Sequence, residues 1–244
     1  MTLILAAAHQ AGWLGQAIDL SVEWLLANAQ GLFDLIKVSV LALVSVTEMV
    51  LEWPPAWMFA LITAALGFWR VNGGFALFVL LGFNLVLSMA LWSEMIATLS
   101  LVITASGLAL LIGLPLGILS ARSRLVWRLV RPCLDLMQTM PAFVYLIPAV
   151  MLFSTGAVPS ILATLIFAMP PVVRLTHLGI IQVPDDLIEA GRSFGCSDRQ
   201  LLWKVQMPSA IPTVMTGVNQ TIMLSLSMVV IASMIGGGGL GDVV

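Results

Sequence analysis

The residues of this chain best suited to specific chemistry lie between Pro184 and Pro208, the one sizeable polar stretch of a sequence otherwise built from apolar residues: P-D-D-L-I-E-A-G-R-S-F-G-C-S-D-R-Q-L-L-W-K-V-Q-M-P. Pro184 followed by Asp185 and Asp186 reads as a helix start, the two carboxylates complementing the positive end of the helix dipole, and Gly195 reads as its stop. Ser197 with Gln200 three residues on reads as a capping box that opens a second helix, which Pro208 is expected to end. In the first helix Leu187, Ala190, Gly191 and Phe194 share one face, and Asp185, Asp186, Glu189 and Arg192 the other. A small, partly apolar ridge flanked by charge suits docking into a groove on another protein, and no catalytic residue is expected in it. A solvated loop joining two membrane helices has the same amphipathic make-up, so periodicity alone leaves both readings open.

Spacing separates them. Glu189-Ala190-Gly191, three residues, Gly195, nine residues, then Val205-Gln206-Met207-Pro208 resembles the E-A-A, x3, G, x9, I-x-L-P signature of permease subunits of bacterial ATP-binding cassette importers. Gly191 stands for the second Ala, Val205 for Ile and Met207 for Leu, changes that keep size or apolarity. The resemblance runs from about Trp92 to Leu240 and is loose before that. Two further stretches narrow it. Asp135 to Pro148 (D-L-M-Q-T-M-P-A-F-V-Y-L-I-P) and Gly217 to Ile235 (G-V-N-Q-T-I-M-L-S-L-S-M-V-V-I-A-S-M-I) are similar to the glycine betaine, proline betaine and choline permeases of osmoprotectant importers.

The resemblance implies an all-α polytopic membrane protein with the type I importer permease bundle, set in the bacterial inner membrane. It makes 184–208 the cytoplasmic coupling segment, with Glu189, Ala190, Gly191, Arg192, Gly195 and Pro208 engaging the ATPase. The partners it implies are two ATPase subunits, which bind ATP and Mg, a second permease copy and an extracytoplasmic binding protein. No cofactor is expected in this chain. The implied cargo is glycine betaine or a related quaternary ammonium solute, with an amino acid or another small solute as the alternative.

A path for a zwitterion needs neutral hydrogen-bonding groups more than fixed charge. Gln138, Thr139, Tyr145, Asn219, Gln220, Ser225 and Ser227 are the polar groups available within or beside the apolar runs, with Pro141 and Phe143 next to the first three. Helix-to-helix hydrogen bonding explains each of them singly as well. Recognising a quaternary ammonium takes several aromatic rings converging on one point. The chain has one Tyr, and its eight Trp lie mostly in the N-terminal segment or near span ends, where interfacial anchoring is their ordinary role. Phe143, Tyr145 and Phe153 remain for a weak transient site, so specificity is expected to reside in the binding protein.

Other chemistries are excluded or disfavoured. The only lysines are Lys37 and Lys204, preceded by Ile36 and Trp203, so no G-x-x-x-x-G-K-[ST] phosphate loop exists and the chain is not itself the ATPase. The apolar runs 74–93, 95–120 and 209–234 hold almost no ionisable group besides Glu94, which leaves no relay of the kind ion-coupled carriers use. Around Cys133 and Cys196 no second Cys or His lies at ligand spacing, and neither a disulfide nor a metal site is expected. No nucleic-acid partner is expected.

The elements that must carry these groups follow from composition. With 60% hydrophobic and 9% charged residues and a mean hydropathy of +1.08, the chain falls far below the charge of a soluble domain, roughly a quarter. Apolar runs near 55–70, 74–93, 95–120, 133–153, 159–178 and 209–234 predict six spans, several interrupted by Pro115, Pro141, Pro148, Pro159 and Pro170-Pro171. The 133–178 hairpin is a candidate for lining the pore, with kinking for packing as the alternative. Asn72-Gly73-Gly74 reads as a tight turn.

Alternating sides gathers Arg70, Arg122, Arg124, Arg128, Arg131, Arg174, Arg192, Arg199 and Lys204 on one face, cytoplasmic by the positive-inside rule. The N-terminus, Glu48, Glu52, Glu94, Thr155-Gly156 and Gly236 to Asp242 then lie outside. Six spans that start outside also end there, and the family normally adds one more helix, so a truncated or atypical short form is expected. The domain reading is 1–53, an extracytoplasmic or interfacial amphipathic segment; 54–94, a first helical hairpin; and 95–244, the permease core.

Met1 to Ala8 lacks a basic region and reads as an uncleaved start; His9 reads as incidental, and residues 13–30, with Asp19 and Glu23, as an interfacial helix. Over 32–53 the stripe Asp34, Lys37, Leu41, Ser45, Glu48, Glu52 favours a helix in the interface. A spanning helix, with Lys37 and Glu48 lining the path of a channel or ion-coupled carrier, is the alternative.

Overall fold

The computed structural model describes residues 28–243. The readings of Met1 to Ala8 and His9, and all but the last three residues of the helix expected over 13–30, lie outside the described residues. Within them all regular structure is helical: α1 (Gln30–Glu52), α2 (Ala56–Arg70), α3 (Gly73–Ser88), α4 (Trp92–Arg122), α5 (Arg124–Thr139), α6 (Phe143–Phe153), α7 (Ala157–Ile181), α8 (Asp185–Ser193), α9 (Asp198–Leu201) and α10 (Met207–Ala232). A π-helical turn, Leu202–Gln206, joins α9 to α10.

The centre is the trio α4, α7 and α10. Lipid supplies no hydrophobic drive for helices to associate, so close approach and van der Waals contact must do it. Helix α4 carries Ala105, Ala109, Gly113 and Gly117 at every fourth position, all buried. A methyl on Gly113 would lie 2.5 Å from Val172 Cγ1, and one on Gly117 2.6 Å from Thr176 Cβ. The pairing of 113 with 172 and 117 with 176 makes α4 and α7 parallel. Helix α10 runs antiparallel to α7: its Gly217 backs onto Val172 and Leu175, while Gly179 of α7 backs onto Ala210 and Thr213.

Helices α4, α7 and the continuous Asp198–Ala232 are long and apolar enough to cross a membrane, at 31, 25 and 35 residues. The expected span over 133–153 is instead two helices, α5 and α6, bent by 97°. Met140 adopts an extended backbone (φ −85°, ψ 141°) ahead of Pro141, as sterics against the proline ring require. The other prolines do not interrupt: Pro115, Pro148 and Pro170-Pro171 lie inside continuous helices and Pro159 in the first turns of α7.

Pro208 does not end the second polar helix either. It falls at the start of α10, directly after the π-helical turn in which the Met207 N–H bonds to the Leu202 carbonyl five residues back. The wider turn relieves the missing N–H and the ring clash that would otherwise break the helix.

Helices α2 and α3 have 15 and 16 residues, about 23 Å at 1.5 Å per residue, against a bilayer core of ~30 Å. The apolar run over 74–93 is thus cut at Ser88, and a turn with Ala90 at φ +57° precedes α4. The expected turn is present, with the Asn72 side chain accepting from the Phe75 N–H at 2.8 Å.

Helix α1 rests on the first halves of α4 and α7. Val40 and Val44 are buried with Leu101, Val102, Ala105, Val158 and Ile161. Phe33 meets Phe153 edge-on at 5.5 Å, Thr47 bonds Thr104 at 3.0 Å, and Ser100 donates to Glu48 at 3.2 Å.

The bundle therefore has two unlike ends. At one, the glycine loop after α10 turns back through Gly236, Gly238 and Gly239, all at positive φ, so that the Leu240 N–H donates to Thr98 Oγ1 at 2.8 Å. Glu48, Glu94 and Thr155-Gly156 gather at the same end. Arg122 and the polar helices α8 and α9 stand together at the other, around one cavity.

Candidate coupling and translocation surfaces

At the Arg-rich end, local chemistry fixes the shape of α8 and α9. Asp185 and Asp186 occupy the first turn of α8. Its C-terminus closes in a Schellman motif: Gly195 takes φ +78°, its N–H bonds the Arg192 carbonyl at 2.9 Å, and the Cys196 N–H reaches the Gly191 carbonyl at 3.1 Å. A left-handed residue there is nearly free for glycine and costs ~1–2 kcal/mol otherwise. The capping box forms as the spacing indicates, with the Ser197 N–H donating to Gln200 Oε1 at 2.9 Å and the Gln200 N–H to Ser197 Oγ at 3.4 Å.

The expected ridge is corrected at one position. Leu187, Ala190 and Phe194 are exposed, Phe194 by 89%. Gly191 is buried: it faces the π-helical turn, and a methyl there would lie 2.7 Å from Leu201 Cδ1 and 3.4 Å from Val205 Cγ2. The nearness of Leu201 pulls Gly191 out of the outward face. Two of the three departures from the family signature, Gly191 and Val205, thus lie opposite each other across this packing. Glu189 and Arg192 are exposed on the flank, and Arg192 borders a cavity of about 270 Å³ with Arg122, Ile181, Asp198 and Gln206.

The candidate path residues separate into two groups. Asn219, Gln220 and Ser227 share the exposed face of α10, and Gln138 and Thr139 stand exposed at the end of α5 beside Pro141. Ser225 is instead fully buried with Thr221 on the face of α10 that packs on α7, and neither hydroxyl has a partner among the described residues. Tyr145 is also buried, because its hydroxyl is committed to the α5–α6 bend: it donates to the Met137 carbonyl, with the Leu136 and Met140 carbonyls at 3.3 and 3.4 Å.

Phe143, Tyr145 and Phe153 do not converge. Phe143 is exposed, Tyr145 packs with Leu146, Ala163 and Met228, and Phe153 packs with Val40 and Val158. Their separation along an eleven-residue helix turns the rings to different sides, so no cage forms from them.

Sequence reading missed a cluster between α5 and α7. Trp127 stacks on His177 at 3.8 Å with the rings 10° from parallel. Four residues from the bend, Asp135 accepts from Arg174, and Arg131 lies 4.0 Å from the same carboxylate. The signal available was the presence of Asp135 and Arg174 inside apolar runs, but partners 39 and 50 positions apart in sequence meet only through the fold.

Residues 113–244 match the family described as the inner membrane component of binding-protein-dependent transport systems. The chain belongs to that family. It therefore carries the permease fold of ATP-binding cassette importers, an all-helical membrane bundle, with the short polar helices α8 and α9 between α7 and α10. Relatives include the glycine betaine transport system permease protein OpuAB of Bacillus subtilis, 47% identical over 229 residues, covering 94% of this chain and 81% of that protein. The glycine betaine/proline betaine transport system permease protein ProW of Escherichia coli is 49% identical over 233 residues, covering 95% of this chain and 64% of its own. Among solved structures, an inward-facing MetNI methionine ABC transporter superposes with a TM-score of 0.55 at 24% identity, over 66% of this chain and 80% of that one, a likeness of fold.

Proposed function

We propose that this permease forms the membrane path of an ATP-driven importer for glycine betaine or a closely related quaternary ammonium solute. The observation that carries the importer reading is the α8–α9 unit: a capped pair of short helices held rigidly at the Arg-rich end, with Leu187, Ala190 and Phe194 presented outward. A bare Phe at 89% exposure, with Asp186, Glu189 and Arg192 exposed on the same short helix, suits insertion of an aromatic anchor into a partner's groove. The substrate reading is supported by the permeases identical to this chain at nearly half of the aligned positions, whose names specify glycine betaine.

In this reading two ATPase subunits, which bind ATP and Mg, sit beneath two permease copies, and a binding protein delivers solute at the glycine-loop end. Glu189, Ala190, Arg192 and Phe194 meet the ATPase; Gly191, Gly195 and Pro208 hold the coupling unit in shape. ATP draws the ATPases together, α8 moves with them, and the bundle tips between two packings whose balance ATP biases. The Arg-rich end is cytoplasmic by the positive-inside rule, which puts the glycine loop and the N-terminal segment outside. Helix α1, packed on the first halves of α4 and α7 and on Phe153 at the end of α6, lies against the outer part of the bundle at the interface.

Reconstitution in liposomes with the ATPase subunits and binding protein tests this. Uptake of labelled glycine betaine is expected only with ATP inside and binding protein outside. Uptake without any ATPase subunit would establish an ion-coupled carrier instead, and ATP-driven uptake of amino acids but not betaine would overturn the substrate.

A further inference from the structure

Helices α5 and α10 pack on different sides of α7: α5 through the Trp127–His177 stack and the Asp135–Arg174 pair, α10 through Gly217 against Leu175 and Val172. Between α5 and α7 lies a cavity of about 380 Å³ lined by Trp127, Arg131, Arg174, Leu175, His177 and Leu178. That volume is at the small end of the range for small-molecule sites, roughly 300–1,000 Å³. Arg174 stands seven residues from the end of α7, about 10 Å inside it at 1.5 Å per residue.

The charges there are unbalanced in a particular way. Two guanidinium groups share one carboxylate, Asp135, and the buried Nε–H of Arg174 has no partner among the described residues. A spare donor and a net positive charge call for a carboxylate. Trp127, held by His177 on one face of its ring, supplies the aromatic surface on which a quaternary ammonium is stabilised. A solute bearing both groups satisfies the site on both counts.

We propose that this cavity is a relay site for the transported zwitterion on the Arg-rich half of the path, with the solute's carboxylate on Arg174 and Arg131 and its quaternary ammonium between Trp127 and Asp135. This rests on the importer reading above. As the solute enters, its carboxylate takes the place of Asp135 on Arg174 and its cation pairs with the released Asp135. The zwitterion adds no net charge, so the cluster keeps its one excess positive charge, and each ionised group has an opposite partner both before and after. Solute can therefore enter and leave without deep trapping, as a conducting path requires.

The test uses the permease in nanodiscs of phosphatidylcholine and, in parallel, the complete transporter in liposomes. Saturation-transfer NMR on the methyl protons of glycine betaine is expected to show contact with the permease that is lost in Trp127→Leu and Arg174→Lys. Choline, which lacks the carboxylate, should bind about 10- to 100-fold more weakly, the loss of a charge-assisted hydrogen bond. In the complete transporter Trp127→Leu and Arg131→Gln should lower maximal uptake while the KM, set by the binding protein, stays put.

Contact that survives Trp127→Leu and Arg174→Lys, or equal binding of choline and betaine, overturns the relay. So does displacement of betaine by phosphatidylglycerol at low mole fraction, which would make this a lipid headgroup site. If wild-type liposomes take up betaine but the isolated permease shows no contact, the relay alone fails. If they take up no betaine at all, the substrate reading fails instead.

Discussion

At the scale of single residues, the proposed coupling unit depends on which way each side chain points. Phe194 is bare, while Gly191, three positions earlier, is closed off by Leu201 and Val205. Substitutions at the two positions should therefore fail differently. Phe194→Ser removes an exposed anchor and leaves the fold intact, so the permease should melt at its usual temperature yet retain little ATPase on affinity co-purification; hot-spot truncations of this kind cost ~2 kcal/mol or more. Gly191→Trp has no room and should push α8 off the π-helical turn, visible as protease cleavage within 184–208 before any partner is added. Equal retention of ATPase by Phe194→Ser and wild type would remove Phe194 from the interface. Tyr145 carries a similar lesson. The sequence offered it as a path hydroxyl, but its donor is spent on carbonyls that the bend at Pro141 leaves open.

At the scale of elements, a good deal was legible. The caps of α8 and α9 were readable because Asp, Gly, Ser and Gln act on backbone groups within five residues of themselves. The turn at Asn72 was readable for the same reason. Breaks were not. Proline was expected to end α9 and to interrupt several spans, yet only Pro141 sits at a bend, because in the others the surrounding helix or a π-helical turn absorbs the lost hydrogen bond. Burial of Ser225 and the stacking of Trp127 on His177 depend on which helices become neighbours, and no local signal carries that. The caps give a prediction at this scale. Ser197→Ala should loosen α9 by about 1 kcal/mol, the usual worth of such a cap, raising hydrogen exchange across 198–206 and lowering uptake per ATP hydrolysed. Exchange and coupling that both match wild type would mean that the π-helical turn alone holds the segment.

At the scale of the whole molecule, the three central helices place two kinds of polar residue on opposite sides of α10. Thr221 and Ser225 face α7 and are closed in, whereas Asn219, Gln220 and Ser227 face away from it. In a bundle set in lipid, an outward row of amides and hydroxyls is tolerated only where water or a second protein surface receives it. On the proposed reading this face of α10 looks onto the path or onto a second permease copy, while its other face serves packing. Cysteine scanning separates the possibilities. In a background with Cys133→Ser and Cys196→Ser, the two thiols of the natural chain, single cysteines at 219, 220, 225 and 227 would be exposed to a small charged methanethiosulfonate in the complete transporter. Cysteines at 219, 220 and 227 should be modified, with rates that change when ATP and vanadate hold the ATPases together, and cysteine at 225 should stay protected in both states. Modification at 225 as fast as at 227 would mean that α10 turns its other face to water. Protection at all four would put the outward row against protein or lipid, and the path would then have to run along α5 and α7, past Asp135 and Arg174.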